Sequence, residues 1–225
     1  MFDVGQYWNP RQADLRQALK YGDLDKAKSL LFELHSQVHS SKVYTNISPT
    51  YMDEILEGLS EKSFRTMPSP KHVTIAWNIW HITRIEDITT NILIAGSSQI
   101  LNENWLKRLN TKVKDTGNAM SRDEILSFSN EMNMEDLRNY RDMVGLKSKE
   151  IIENLKNEDL KRTFKETQLD RIILEGGLIS HPESIWLLDF WGKKNVSGIL
   201  LMPVTRHQIV HLNDCGKLKA KCNKL

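Results

Sequence analysis

Two histidines, His207 and His211, stand four residues apart in the run Leu201-Met202-Pro203-Val204-Thr205-Arg206-His207-Gln208-Ile209-Val210-His211-Leu212. On a helix this spacing puts both imidazoles on one face, where they converge and make half of a metal site. A third donor has to come from another element. His81 qualifies, because it lies on the stripe Trp77, His81, Ile85, Ile88, Ile92, whose steps of four, four, three and four follow one helical face. A histidine on such a face is desolvated and needs a partner. Glu86 and Asp87, five and six residues further on, do not share that face. Spacing alone leaves two readings open: three core histidines, each bonded to a carbonyl or carboxylate, or one shared cation that satisfies all three. A zinc-peptidase reading is weak. That chemistry needs a glutamate base directly after the first histidine, and Gln208 cannot take a proton at neutral pH. His35 and His39 are a second pair at the same spacing, but they lie beside their apolar stripe among serines and read as partly exposed.

The elements that must carry these residues read as helices. Asn9-Pro10 opens a short one that ends at Tyr21-Gly22. Asp23 caps a longer one with the stripe Leu24, Ala27, Leu30, Leu31, Leu34, Val38. Ser48-Pro49 starts a short helix through Leu59, and Phe64 to Pro70 reads as loop because of its prolines. The most apolar helix of the first half runs from about Val73 to Ala95. Asn104 to Asn110 gives a turn or two, Asp115-Thr116-Gly117-Asn118 is loop chemistry, and Ser121 to Glu124 matches a capping box. An amphipathic helix spans about Met134 to Leu155, with Leu137, Tyr140, Val144, Ile151 and Leu155 inward. Residues 157 to 181 carry little pattern, and Glu183 to Trp191 is a short aromatic-rich helix. The last long helix covers about Asn195 to Leu212, kinked where Pro203 frees the carbonyl of Ile199. No alternating run demands a sheet, so the expected fold class is all-α, a four-helix bundle with additional short helices in the connections.

Composition narrows the partners. The 225 residues include 31 basic and 29 acidic ones, a net charge of +2, which gives no electrostatic reason to expect nucleic acid. The basic segment from Lys217 to Lys224 reads as a solvated, frayed tail, and Cys215 and Cys222 beside it as flexible-tail cysteines in a reducing cytoplasm. No targeting segment and no membrane span are visible, so a cytoplasmic location is expected. The expected organisation is an N-terminal extension over residues 1–22 packed on the bundle, a bundle domain over 23–214 and a basic tail over 215–225.

Three segments in order, Trp77-x-x-Trp80-His81-x-x-Arg84-Ile85-Glu86-Asp87, then Trp191-Gly192-Lys193-Lys194, then Leu201-Met202-Pro203-x-x-Arg206-His207-x-x-x-His211-Leu212, resemble the DinB-like superfamily, over roughly residues 23 to 214. The resemblance implies a four-helix bundle with a divalent metal held by three histidines, one from the second long helix and two from the last. Carried across, these are His81, His207 and His211. Zinc and nickel are the first expectations for the metal, since imidazole suits both. The superfamily has members that are bacillithiol S-transferases and others that are mycothiol-dependent isomerases. The implied activity is therefore a metal-dependent transfer in which a low-molecular-weight thiol cosubstrate loses its proton and attacks an electrophile. Two alternatives stay open: a hydrolase that activates a metal-bound water, and a non-catalytic protein with a structural metal or none. Arg84, Glu86 and Arg206 are candidates to support the ligands, although helix-surface salt bridges explain them equally well. Trp77, Trp80, Trp186 and Trp191 are candidates to wall a pocket, or plain core. Family members often pair, so a homodimer is a further expectation.

Overall fold

The structure is a computed structural model, which describes residues 4–44 and 49–223. A wide π-type turn, Val4–Trp8, leads into α1 (Asn9–Tyr21), closed by Gly22 in the left-handed conformation at φ 73°. Then follow α2 (Leu24–Val38), α3 (Tyr51–Leu56), α4 (Glu61–Arg65), α5 (Ile75–Asp87), α6 (Glu103–Leu109), α7 (Arg122–Glu131) and α8 (Met134–Asn154). The last third holds α9 (Glu166–Leu174), α10 (Pro182–Gly192), α11 (Val196–Leu201) and α12 (His207–Cys222). The sole extended pairing among the described residues is a single bridge between Thr163 and Asn195, so the all-α expectation holds.

Four long helices close a ring: α2 packs on α8, α8 on α5, α5 on α12, and α12 returns to α2. α1 lies along the outside of α2 and touches α11. Two of the caps that set this frame, Asp23 and the box at Ser121, are the ones the sequence announces, and Asn133 is a third. Asp23 accepts from the Lys26 amide, Ser121 and Glu124 form a reciprocal capping box, and Asn133 accepts from the Asp136 amide.

Three elements differ from expectation. The helix expected from Ser48-Pro49 is α3, capped by Thr50 and ended well before Leu59; Ser48 itself lies outside the described residues. Part of the expected loop after Phe64 is helix, since Ser60 caps α4 through Arg65 before the prolines stop it. The last expected helix widens at its proline: α11 ends at Leu201, a π-type stretch covers Met202–Arg206, and α12 continues from His207 without a break. Proline supplies no N–H to a normal helical turn, and widening the turn accommodates it. The exposed carbonyls are recovered by side chains: the Thr205 hydroxyl donates to the carbonyls of Leu200 and Leu201, and Gln12 Nε2 donates to that of Leu201.

The helix α12 also runs on to Cys222 instead of fraying after Leu212. Leu212, Cys215, Leu218 and Cys222 form its buried stripe, against α3 and α4. The two cysteines are therefore core residues, and burial pushes both thiols up, away from reactivity.

Within the ring, α5 is buried on nearly all sides. Every residue from Asn78 to Asp87 is buried, and the helix continues as a wider, π-type stretch, Ile88–Ala95. Burial on all sides means that its polar residues cannot face water and must be satisfied by the surrounding helices. No helix among the described residues is long and apolar enough to cross a membrane.

Candidate metal centre

His81 comes from α5, and His207 and His211 from the first turns of the neighbouring α12. Both histidines of α12 face α5, where their rings meet that of His81. The ring centroids form a triangle with sides of 5.0, 4.8 and 4.5 Å, and one ligand atom from each ring lies within 4.8 Å of the others. His81 Nε2 and His207 Nε2 are 3.2 Å apart.

The surroundings decide which nitrogens carry protons. His81 Nδ1 lies 2.8 Å from the carbonyl oxygen of Thr116, which can only accept. Nδ1 therefore carries the hydrogen, and in the neutral ring Nε2 presents its lone pair to the centre. Asn78 Nδ2 donates to the carbonyl of Thr74, which orients the amide so that its Oδ1 accepts from His211 Nδ1 at 2.7 Å. His211 too is left with its lone pair on Nε2. His207 Nδ1 is buried without a partner.

All three imidazoles are held neutral. Burial pushes His81 down to about 3, reinforced by the nearby His211. Burial also holds His207 well below the usual histidine range, with His81 and His211 adding to it, and it lowers His211 to about 4 against the opposing pull of Asp214. Neutral imidazole is the ligand form. Lone pairs brought this close repel unless a proton or a cation stands between them. Tetrahedral ligation at about 2.0–2.1 Å separates ligand nitrogens by roughly 3.3 Å, which matches the His81–His207 spacing. The donor set therefore fits a divalent transition cation.

A strap of four consecutive carbonyls holds the His81 side of the centre. Arg84 Nε donates to the Lys114 carbonyl at 2.8 Å, Trp80 Nε1 to Asp115 at 3.0 Å, His81 Nδ1 to Thr116 at 2.8 Å and Trp77 Nε1 to Gly117 at 3.1 Å. These donors sit at steps of three, one and three along one face of α5, so the extended strap reads that face carbonyl by carbonyl. Gly117 has φ 76°, and a Cβ there would come within 2.9 Å of Trp77 Nε1, so the approach requires glycine. The Trp77 ring stacks on His81 at 4.6 Å between centroids and 8° between planes, fixing the imidazole from its face.

Asn78 and Thr116 were not among the residues singled out by spacing. Asn78 carries no charge and sits between tryptophans, and Thr116 contributes only a backbone carbonyl. Because Asn78 fixes the tautomer and orientation of His211, Asn78→Ala is expected to lower zinc affinity roughly 10–100-fold, read by competition with a chromophoric chelator. An unchanged affinity would show that His211 needs no such support.

The other sequence candidates fall elsewhere. Arg84 is buried against Asp87, Tyr140, Gln99 and the strap, and reaches the centre only through the strap. Arg206 donates to Asn9 Oδ1 on α1. Trp80 and Trp191 are core, with Trp80 against Phe128 and Tyr140, whereas Trp186 is half exposed on α10. Of the four tryptophans, only Trp77 contacts the centre. Glu86 faces away from it and binds His35 and His39, both with 0% exposure, which corrects their reading as partly exposed. Gln208 also turns inward, donating to the carbonyls of Ile82 and Pro203 and accepting from Arg141, so it is a structural residue and no base.

No curated protein matches the chain. The family model described as the DinB superfamily matches residues 45–214, a span that takes in α3 through the first half of α12 and all three histidines. With the all-α architecture and the match across most of its length, the chain belongs to the DinB superfamily.

Proposed function

We propose that this protein is a metal-dependent transferase that uses His81, His207 and His211 to hold one divalent cation and activates a low-molecular-weight thiol for attack on an electrophile. The observation that carries this reading is the donor set: three neutral imidazoles whose bonded neighbours are a carbonyl, an amide and each other, with no carboxylate among them. A divalent cation held by these three neutral ligands would keep its full charge and would favour the deprotonated form of a thiol bound to it. The protein's part is positional. The strap and Trp77 lock His81, and Asn78 locks His211, while His207, without a bonded partner at Nδ1, can adjust its ring as the centre fills. In the transfer step the thiolate sulfur forms a bond to an electrophilic carbon, the leaving group departs with the bonding pair, and the thiol proton passes to solvent. Hydrolysis is supported less well, because the residue that would serve as base in the related helical motif is Gln208, already committed to three hydrogen bonds.

The test is a conjugation assay with zinc-loaded protein, a chromogenic aryl halide and a panel of low-molecular-weight thiols. Turnover is expected to require both thiol and cation and to vanish in His207→Ala/His211→Ala. Failure with every thiol while the three-histidine centre is filled would overturn the transferase reading. Cleavage of a chromogenic ester without thiol would replace it by hydrolysis.

A further inference from the structure

A second set of donors lies inside the ring, about 140° around α5 from His81. His35 and His39 of α2 and Glu86 of α5 are each fully buried, with ligand atoms within 4.8 Å of one another. His35 Nε2 is 2.7 Å from Glu86 Oε1, and His39 Nε2 is 3.2 and 3.0 Å from Glu86 Oε1 and Oε2. Both carboxylate oxygens thus face imidazole nitrogens, giving four donor atoms from three residues. We propose that His35, His39 and Glu86 form a second divalent transition-metal site, closed to solvent and independent of the three-histidine centre.

The chemistry of the set points to a cation of the zinc, iron or nickel class, since two imidazoles and a carboxylate suit those ions better than magnesium or calcium. Charge gives the second reason. Glu86 is fully buried, its only bonded neighbours among the described residues are the two imidazoles, and no lysine or arginine is bonded to it there. Arg141 lies close enough to feel that charge, but its N–H groups go to the Val38 carbonyl, the Thr83 hydroxyl and Gln208 Oε1. A buried carboxylate without a bonded cation is costly, and an ion shared among the three groups removes that cost. At the outer nitrogens, His35 Nδ1 meets the Tyr44 hydroxyl oxygen at 2.8 Å, and His39 Nδ1, which has no hydrogen-bond partner among the described residues, packs against Gly145, where a Cβ would come within 2.4 Å of it. Glycine at that point of α8 lets the His39 ring enter the ring of helices.

The experiment is elemental analysis of protein expressed in zinc-supplemented medium and passed into metal-free buffer, with circular dichroism to establish folding of each variant. About two zinc ions per chain are expected in the wild type, about one in His207→Ala/His211→Ala, and none once Glu86→Gln is added. A folded His207→Ala/His211→Ala variant with no zinc overturns the proposal and leaves the three-histidine centre standing. Should the Glu86→Gln variant not fold, chelator extraction of the wild type decides. A fast phase from the open centre and a slow phase set by opening of the fold support the buried site, and a single fast phase that removes all zinc overturns it.

Discussion

Replacing Arg84 with methionine is expected to destabilise the protein by about 3–5 kcal/mol, the usual cost of leaving one partner of a buried ion pair alone. The guanidinium is fully buried, and all its neighbours come from the protein. NH1 donates to Asp87 Oδ2 and to the Tyr140 hydroxyl, both at 2.9 Å, NH2 to Gln99 Oε1 at 2.6 Å, and Nε to the Lys114 carbonyl. Methionine matches much of the volume and none of the donors. Asp87 would keep the Tyr140 hydroxyl, the Asn91 amide and the backbone N–H groups of Ile100 and Leu101, but would lose the only cation bonded to it among the described residues. At about 2–4 °C per kcal/mol for a chain of this size, the melting temperature should fall by roughly 10 °C. Arg84→Lys should recover little, because an ammonium cannot serve a carboxylate, a hydroxyl, an amide and a carbonyl spread over the plane of a guanidinium. Urea denaturation of both variants checks this. A loss below about 1 kcal/mol would mean that the pair behaves as an exposed one does.

This pair also shows where sequence reading stops. The stripes of α2, α5 and α8 and the caps at Asp23 and Ser121 are legible because helix period and capping chemistry are local. The three centre histidines were legible for the same reason: each lies on an apolar stripe, and two share one helix. The polar residues of α5 were not. Arg84, Glu86 and Asp87 look like the solvated face of an amphipathic helix, and only the closing of α2, α8 and the strap around α5 turns that face inward. Glu86 meets His35 and His39 across 51 and 47 positions of chain, a pairing that no periodicity encodes. The strap's loop chemistry is legible at Asp115 to Asn118, but its function lies in backbone carbonyls, which have no sequence signature apart from Gly117. The continuation of α12 carried a signal that was available. Leu212, Cys215, Leu218 and Cys222 step by three, three and four, and the intervening lysines masked a buried stripe as a basic tail.

The centre should behave in the opposite way to the Arg84 cluster. His207→Leu is expected to lower zinc affinity by more than the roughly 10–100-fold that loss of an orienting neighbour costs, because a ligand itself is gone. Yet the metal-free protein should change in stability by less than about 1 kcal/mol, since the substitution exchanges small polar terms for apolar contact. His207 is half-buried, and among the described residues its Nδ1 has no partner and its side chain's one hydrogen-bonding neighbour is the His81 Nε2 atom at 3.2 Å. Removing it deletes that contact but also deletes an unsatisfied buried nitrogen, and the leucine puts apolar area against the rings of His81 and His211. Arg84, by contrast, is bonded on every side and touches the centre only through the strap. Titration with zinc against a competing chelator and thermal melts in excess chelator separate the two effects. Retained tight binding at the three-histidine centre would remove His207 from the ligand set. A loss of several kcal/mol in the metal-free melt would mark it as a structural residue of the core. A position where affinity collapses and stability does not is one whose side chain is kept for what it binds, and that property, more than the proximity of three rings, distinguishes a metal centre from a histidine-rich core.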